Sequence, residues 1–108
     1  MRRPRNLTDD WNLKKKGWNN MINEILEHTA VVHFEERVSG YFNGAHRQFE
    51  FTPERCEFKG RQCVKWGSWT ANCWFVVSMG KSVKAHFAAV RRKLRGMLPR
   101  KITFEKKE

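Results

Sequence analysis

The sequence has no acidic residue between Phe58 and Phe104, although the same segment holds eleven basic ones. These are Lys59, Arg61, Lys65, Lys81, Lys84, Arg91, Arg92, Lys93, Arg95, Arg100 and Lys101. Residues 1–57 carry nine basic and nine acidic side chains and residues 105–108 are balanced, so the acid-free segment accounts for the whole formal charge of +11. Charge of one sign opposes compaction unless an anionic partner relieves it.

Long apolar runs and cysteine pairs are also missing. No run of 18 apolar residues is present, so we expect no transmembrane helix, and no apolar stretch of the kind that a signal peptide needs follows the basic N-terminus. Three cysteines, an odd number, fit a reducing compartment, so we expect an intracellular protein of the cytoplasm or nucleus.

The same cysteines and the histidines give no sign of a catalytic or metal centre. Cys56, Cys63 and Cys73 lack the closely spaced pair that is typical of zinc sites. The four histidines form no recognisable set of nucleophile, base and orienting group. We therefore expect no metal, no cofactor and no enzymatic activity.

Aromatic side chains are abundant, with five Trp and eight Phe among the 108 residues. Together with an apolar fraction of 40% they predict one folded domain rather than a disordered chain. We assign residues 1–7 to a basic arm, 8–104 to a single nucleic-acid-binding domain and 105–108 to a charged tail. Because this aromatic area exceeds what a small core easily hides, we also expect a homodimer.

Amphipathic helices are predicted at both ends of the domain. The first begins near Thr8 and ends near Thr29, with Trp11 and Trp18 on its apolar face. The second follows Gly80 and is stopped by Pro99. Beside its apolar stripe lie five cations, Lys81, Lys84, Arg91, Arg92 and Arg95. One side of this helix should therefore dock on a sheet while the other carries basic charge.

Strands are predicted between the helices. Asn43-Gly44 predicts a type I′ turn, and that turn pairs Val38 with Phe49. Further strands are expected at residues 56–59, 62–66 and 69–79, separated by turns at 60–61 and 67–68. The expected fold is α+β: an N-terminal helix, a four- or five-stranded antiparallel sheet and a C-terminal basic amphipathic helix.

The segment Lys81-Ser82-Val83-Lys84-Ala85-His86-Phe87-Ala88-Ala89 resembles the last helix of double-stranded-RNA-binding domains, whose lysines straddle a major groove. That family has Ala-Lys where this chain has Lys84-Ala85. Its Gly-Pro-x-His loop, which enters a minor groove, has a counterpart here in Gly44-Ala45-His46. The resemblance implies an α-β-β-β-α order over residues 18–98 and binding of duplex RNA.

The pair Trp11 and Trp18, on a helix ahead of a sheet, is similar to the plant tombusvirus RNA-silencing suppressors, whose dimers cap the ends of short RNA duplexes. This second resemblance implies that Trp11 and Trp18 stack on duplex ends. It also implies a viral protein that suppresses RNA silencing.

We therefore expect a non-enzymatic nucleic-acid-binding protein that favours duplex RNA, reads it by shape and phosphates, and has no membrane partner. The expected contact residues are Lys59, Arg61, Lys65, Lys81, Lys84, Arg91, Arg92, Arg95, His46, Trp66 and Trp69. Two alternatives stay open. One is binding of single-stranded DNA or RNA with Trp66, Trp69 and Trp74 as stacking platforms, and the other is a protein-interaction or assembly module.

Overall fold

The computed structural model describes residue 17, residues 19–39 and residues 45–107. The elements are α1 (19–26), β1 (His28–Ser39), β2 (Ala45–Phe58), β3 (Arg61–Ser68), β4 (Cys73–Ser78), α2 (Val83–Leu94), a 3₁₀ helix (Arg95–Met97) and β5 (Lys101–Lys106). The strands form one antiparallel sheet in the order β4-β3-β2-β1-β5. The predicted α+β class is therefore confirmed. None of the described helices has the length and hydropathy needed to cross a membrane.

The long strand β2 joins two halves of the sheet. Up to Phe51 its residues pair with β1, and from Thr52 onwards they pair with β3. The change of partner falls next to Pro53, which lacks the N–H that a strand interior normally uses. The sequence predicts a separate strand at residues 56–59, whereas β2 continues without a break through Pro53 to Phe58.

Both helices lie on the same face of the sheet, which we call the inner face. Ile22 and Ile25 of α1 and Val90 and Leu94 of α2 are fully or almost fully buried in one cluster with inward-facing strand residues. Side chains alternate across a strand, so Val64 and Trp66 lie on this inner face of β3 while Lys65 lies on the opposite, outer face. The described helices and the sheet thus form two layers, and no described helix lies on the outer face of the sheet.

The predicted hairpin register between β1 and β2 is wrong. The structure pairs Val38 with His46 and Val32 with Phe49. Ser39 pairs with Ala45, so the register already differs from the predicted one at the hairpin end, and a bulge in β1 between His33 and Val38 displaces the later pairs further. A bulge inserts residues into one strand only, so every pair beyond it is displaced. Phe34 and Phe49 are both buried in the core on the inner face. Asn43-Gly44 lies outside the described residues.

Strand β5 was not predicted. It pairs with β1 from His28–Lys106 to His33–Lys101, and it includes Glu105 and Lys106, which were assigned to a charged tail. The backbone N–H of Arg100 donates to the carbonyl of His33 at 2.7 Å and extends this ladder. Helix α2 therefore crosses the inner face from the β4 edge of the sheet to the β5 edge.

A buried hydrogen bond holds α2 to the sheet. Trp66 is 0% exposed, and its Nε1–H donates to His86 Nε2 at 3.0 Å. The other ring nitrogen, His86 Nδ1, bonds the carbonyl of Ser78 at 2.9 Å, so it carries the proton and the ring is neutral. Burial lowers the pKa of His86, although the bond to the Ser78 carbonyl opposes that effect.

Stability should therefore decrease as the pH falls below about 6.5, the ordinary pKa of histidine, towards the lower pKa of His86 in the folded state. In this window the unfolded chain binds a proton that the folded chain does not, which costs at most about 1.4 kcal/mol per pH unit. The measurement is the free energy of unfolding in denaturant between about pH 8 and pH 5.

His86→Gln is the matched control, because glutamine still offers an acceptor to Trp66 but does not titrate. The loss of stability should be smaller in this variant, because it lacks the imidazole whose pKa is lowered by burial. Equal pH dependence in the two proteins would contradict the assignment to His86.

Candidate nucleic-acid interface

Helix α2 carries a row of cations on the side turned away from the sheet. The helix begins after Ser82, whose Oγ accepts a hydrogen bond from the N–H of Ala85 at 3.0 Å. Its buried residues are His86, Val90 and Leu94, and the 100° spacing of a helix then directs another set of residues outward. That set includes the cation row, which we define as Lys84, Arg91 and Arg92 of α2 together with Arg95, the first residue of the 3₁₀ helix that continues α2.

The cation row is accessible and has no described counter-ion. Lys84, Arg92 and Arg95 are exposed, while Arg91 is half-buried because its guanidinium lies 5.4 Å from the centre of the Phe104 ring. Within the described residues, the ion pair present joins Lys106 to Glu27 at 3.5 Å, and no described carboxylate lies within 4 Å of the row. The positive charge of α2 is therefore open to solvent on this side.

More cations gather at the end of the sheet where α2 begins. Lys59 and Gly60, with φ of 52° and 76°, form the two-residue turn between β2 and β3, and Arg61 follows at the start of β3. Cys63 pairs with Ser78 in an antiparallel ladder, so the residues before Cys63 and those after Ser78 lie at this same end. Arg61 therefore lies near the segment that contains Lys81. Lys59, Arg61, Lys81 and Lys84 thus come from separate elements to one end of the molecule.

Two tryptophans from the same sequence stretch have opposite environments. Trp66 was predicted to contact nucleic acid, and the structure corrects this, because its indole is enclosed by Phe87, Phe104 and His86. An enclosed ring has no face for a base to stack on. Trp69, predicted to lie in a strand, instead begins the turn between β3 and β4 and is 73% exposed.

Trp69 and Trp74 form a cleft on the outer face. Their rings are 5.2 Å apart and nearly perpendicular, and the cleft has a volume of about 250 Å³. It is lined by Thr52, Glu54, Lys65, Gly67, Trp69 and Trp74, and we call it the Trp69–Trp74 cleft. Gly67 makes it possible, because a Cβ at this position would overlap atoms Cδ1 and Nε1 of Trp74.

The remaining predicted contacts are placed differently or lie beyond the described residues. His46 was expected in a loop, but it belongs to β2, is half-buried and packs its ring 5.8 Å from that of Phe49. It is therefore not positioned to enter a groove from a loop. The two predicted end-stacking residues, Trp11 and Trp18, lie outside the described residues, as does the basic arm 1–7.

The three cysteines are free thiols. Cys56 and Cys63 are cross-strand partners on the outer face, and partial burial, together with the nearby Cys63, raises the pKa of Cys56. Across the described residues, no group of three His, Cys, Asp or Glu side chains is arranged to hold a metal ion.

A second groove, of about 510 Å³, lies at the bulge of β1 and is lined by Glu35, Glu36, Arg47 and Arg100 among others. Because this groove is lined by charges of both signs, we do not expect it to bind a polyanion.

Comparisons with protein families, with curated proteins and with solved structures found no match for this chain. The α-β-β-β-α order implied by the resemblance to double-stranded-RNA-binding domains differs from the described fold, which adds β4 before the last helix and β5 after it. The cation row and the Trp69–Trp74 cleft are the two surface features of the described residues that can bind a ligand.

Gly67→Ala should displace the indole of Trp74 and separate it from Trp69, because the added Cβ needs the space that Trp74 occupies. Trp74 is partly exposed and can swing outward, so the free energy of unfolding should change by no more than about 1 kcal/mol. The measurement is the far-ultraviolet circular dichroism of the two coupled indoles, whose exciton signal should disappear.

Gly96→Ala is the control for this change, since a Cβ on Gly96 meets no atom within 4 Å. It should leave the exciton signal intact. An undiminished exciton signal in Gly67→Ala would show that the packing of Trp69 against Trp74 does not require the space beside Gly67.

Proposed function

We propose that this protein is a non-enzymatic nucleic-acid-binding protein that favours duplex RNA and contacts its phosphates through the cation row of α2. The observation that carries the proposal is an accessible row of cations on a helix whose other side is fixed in the core. From Lys84 to Arg95 the row extends roughly 16 Å along the helix. A duplex carries one negative charge per about 1.7 Å of its axis, so the row faces many phosphates at once.

The composition of the outward side of α2 supports a duplex over a single strand. Between the cations lie Ala85 and Ala88, which are exposed and small, and the aromatic residue of this helix, Phe87, stacks on Phe104 at 4.6 Å. The outward side of α2 thus presents positive charge and small side chains that let a duplex approach closely, but no exposed aromatic ring on which a base could stack. Single strands are usually held by aromatic stacking, whereas duplex RNA is recognised by shape, phosphates and 2′-hydroxyl groups. The preference for RNA over DNA follows the resemblance of α2 to the last helix of double-stranded-RNA-binding domains.

The combined change of Lys84, Arg92 and Arg95 to Gln should weaken binding to duplex RNA about equally for all sequences. These three are chosen because they are exposed, whereas Arg91 also packs on Phe104. The slope of log affinity against log salt should decrease in magnitude by up to about 3, since each lost phosphate contact lowers it by roughly 0.9. The measurement is a titration of a labelled blunt duplex at several salt concentrations, with duplex DNA and single-stranded RNA as competitors.

A matched control removes the same charge elsewhere. Arg37, Arg47 and Lys101 are also exposed, lie in β1, β2 and β5, and can be changed together to Gln. If both triple variants bind equally weakly, net charge rather than the α2 row determines affinity and the proposal fails. Stronger competition by single strands than by duplex RNA would contradict the choice of ligand.

We also propose that two copies associate along the edge of β4. This strand pairs with β3 on one side, is the last strand of the described sheet on the other, and contains no charged residue among Cys73–Ser78. Edge strands usually carry charges that prevent association, but here Val76 is 41% exposed. Each copy carries a formal charge of +11, so salt or bound nucleic acid should favour the pair by screening repulsion.

Val76→Lys should therefore lower the mass in solution from that of a dimer to that of a monomer, because it places a charge in the edge-to-edge contact. The measurement is sedimentation velocity at moderate salt. Val38→Lys is the control, since Val38 is similarly exposed but lies on β1, away from the β4 edge. A wild-type protein that stays monomeric at high concentration and high salt would overturn this arrangement.

A further inference from the structure

The Trp69–Trp74 cleft is separate from the cation row. Thr52, Gly67 and Trp74 are directly opposite one another on β2, β3 and β4, and they lie on the outer face. Helix α2 covers the inner face, so the sheet stands between the two features. A duplex whose phosphates contact α2 therefore leaves the cleft open to a second ligand.

We propose that the Trp69–Trp74 cleft binds one unpaired nucleobase of a single-stranded RNA or DNA segment. This inference goes beyond the duplex contact proposed for α2 and does not depend on it. The protein would then have two sites, one for the backbone of a duplex and one for a base that is not paired.

The shape of the cleft suits a flat ring. Trp69 is 73% exposed and Trp74 is 39% exposed, which is far more than a Trp in a core allows. The planes of the two indoles are nearly perpendicular. A base that stacks on the face of one indole therefore has its edge against the other indole, which forms a second wall of the cleft. Stacking of this kind accepts any base, since every base has a π-face.

Polar residues in the lining supply the other contacts that a nucleotide requires. The hydroxyl of Thr52 and the carboxylate of Glu54 can bond the amino and imino groups on the edge of a base. Lys65 lies opposite Glu54 on the next strand and can pair with the phosphate attached to that base. The cleft thus combines a stacking surface, hydrogen-bonding groups and one cation.

Aromatic clefts with a carboxylate also bind quaternary ammonium groups, such as a trimethylated lysine. The charges argue against that occupant here. Lys65 lines the same cleft and would repel a cation, and the formal charge of +11 repels cationic peptides at long range. The same field attracts the phosphates of a nucleic-acid strand.

The test uses end-labelled single-stranded RNA of about six nucleotides, without self-complementarity, titrated against the whole protein at low salt. Binding should quench indole fluorescence. Trp69→Ala should weaken the affinity roughly 5- to 150-fold and remove most of the quenching, while Trp69→Phe, which keeps a ring, should retain much of the affinity.

Two comparisons make the test specific to the cleft. Phe58→Ala removes another exposed aromatic ring, at the end of β2 beside the opposite end of β3, and should bind like the wild type. Gly67→Ala should weaken binding by displacing Trp74, yet leave binding of a blunt duplex unchanged. If Phe58→Ala and Trp69→Ala weaken binding equally, or neither weakens it, the cleft is not the site and the inference is overturned.

The remaining controls separate this inference from the duplex proposal. The variant with Lys84, Arg92 and Arg95 changed to Gln should still show quenching that depends on Trp69, even where its binding to blunt duplexes is lost. Loss of that quenching in this variant would place the short strand on α2 and overturn the inference. A trimethyllysine peptide that binds the cleft more tightly than the short RNA would overturn it as well.

Discussion

The hydrogen bond from Trp66 to His86 determines how the two layers of this protein fit together. A fully buried indole needs an acceptor for its N–H, because an unpaired buried donor costs about 1–3 kcal/mol. His86 supplies that acceptor from α2 and is itself fixed by the carbonyl of Ser78 at the end of β4. With these three groups joined, the rotation of α2 about its axis is set, and so is the direction in which its cations face.

That orientation of α2 gives the two sides of the protein different distributions of charge. The helix layer carries the cation row on its solvent side, whereas the outer face of the sheet mixes Glu50 and Glu54 with Lys65 and Lys101 and has the two exposed indoles at one end. Charges of one sign on one helix repel each other, so the folded state without a ligand is less stable than its packing alone would allow. A polyanion that binds the folded state and relieves this repulsion should stabilise the fold, and the gain should rise with the logarithm of its concentration once that exceeds the dissociation constant.

The periodic features of the chain could be predicted, and the long-range ones could not. The spacing of Val90 and Leu94 in α2 and the alternation around Phe49 in β2 are local patterns that follow from helix and strand geometry. The bulge in β1 and the pairing of β5 depend on distant partners, which no local pattern specifies. Trp66 and Trp69 differ for a related reason, since α2 covers the face of β3 that holds Trp66, whereas Trp69 lies past the end of that strand. The strand alternation that groups Trp66 with Val64 was the signal available for its burial.

The pairing of β5 with β1 also determines when the sheet can be completed during synthesis. β1 leaves the ribosome before β2, β3, β4 and α2, and one of its edges stays unpaired until β5 follows, since His28 pairs with Lys106. Ladders between strands so distant in sequence form slowly, and an unpaired edge is meanwhile a template for other chains. The nascent protein is therefore most prone to aggregate between the synthesis of β1 and that of β5, and slow translation of the intervening segment lengthens that interval.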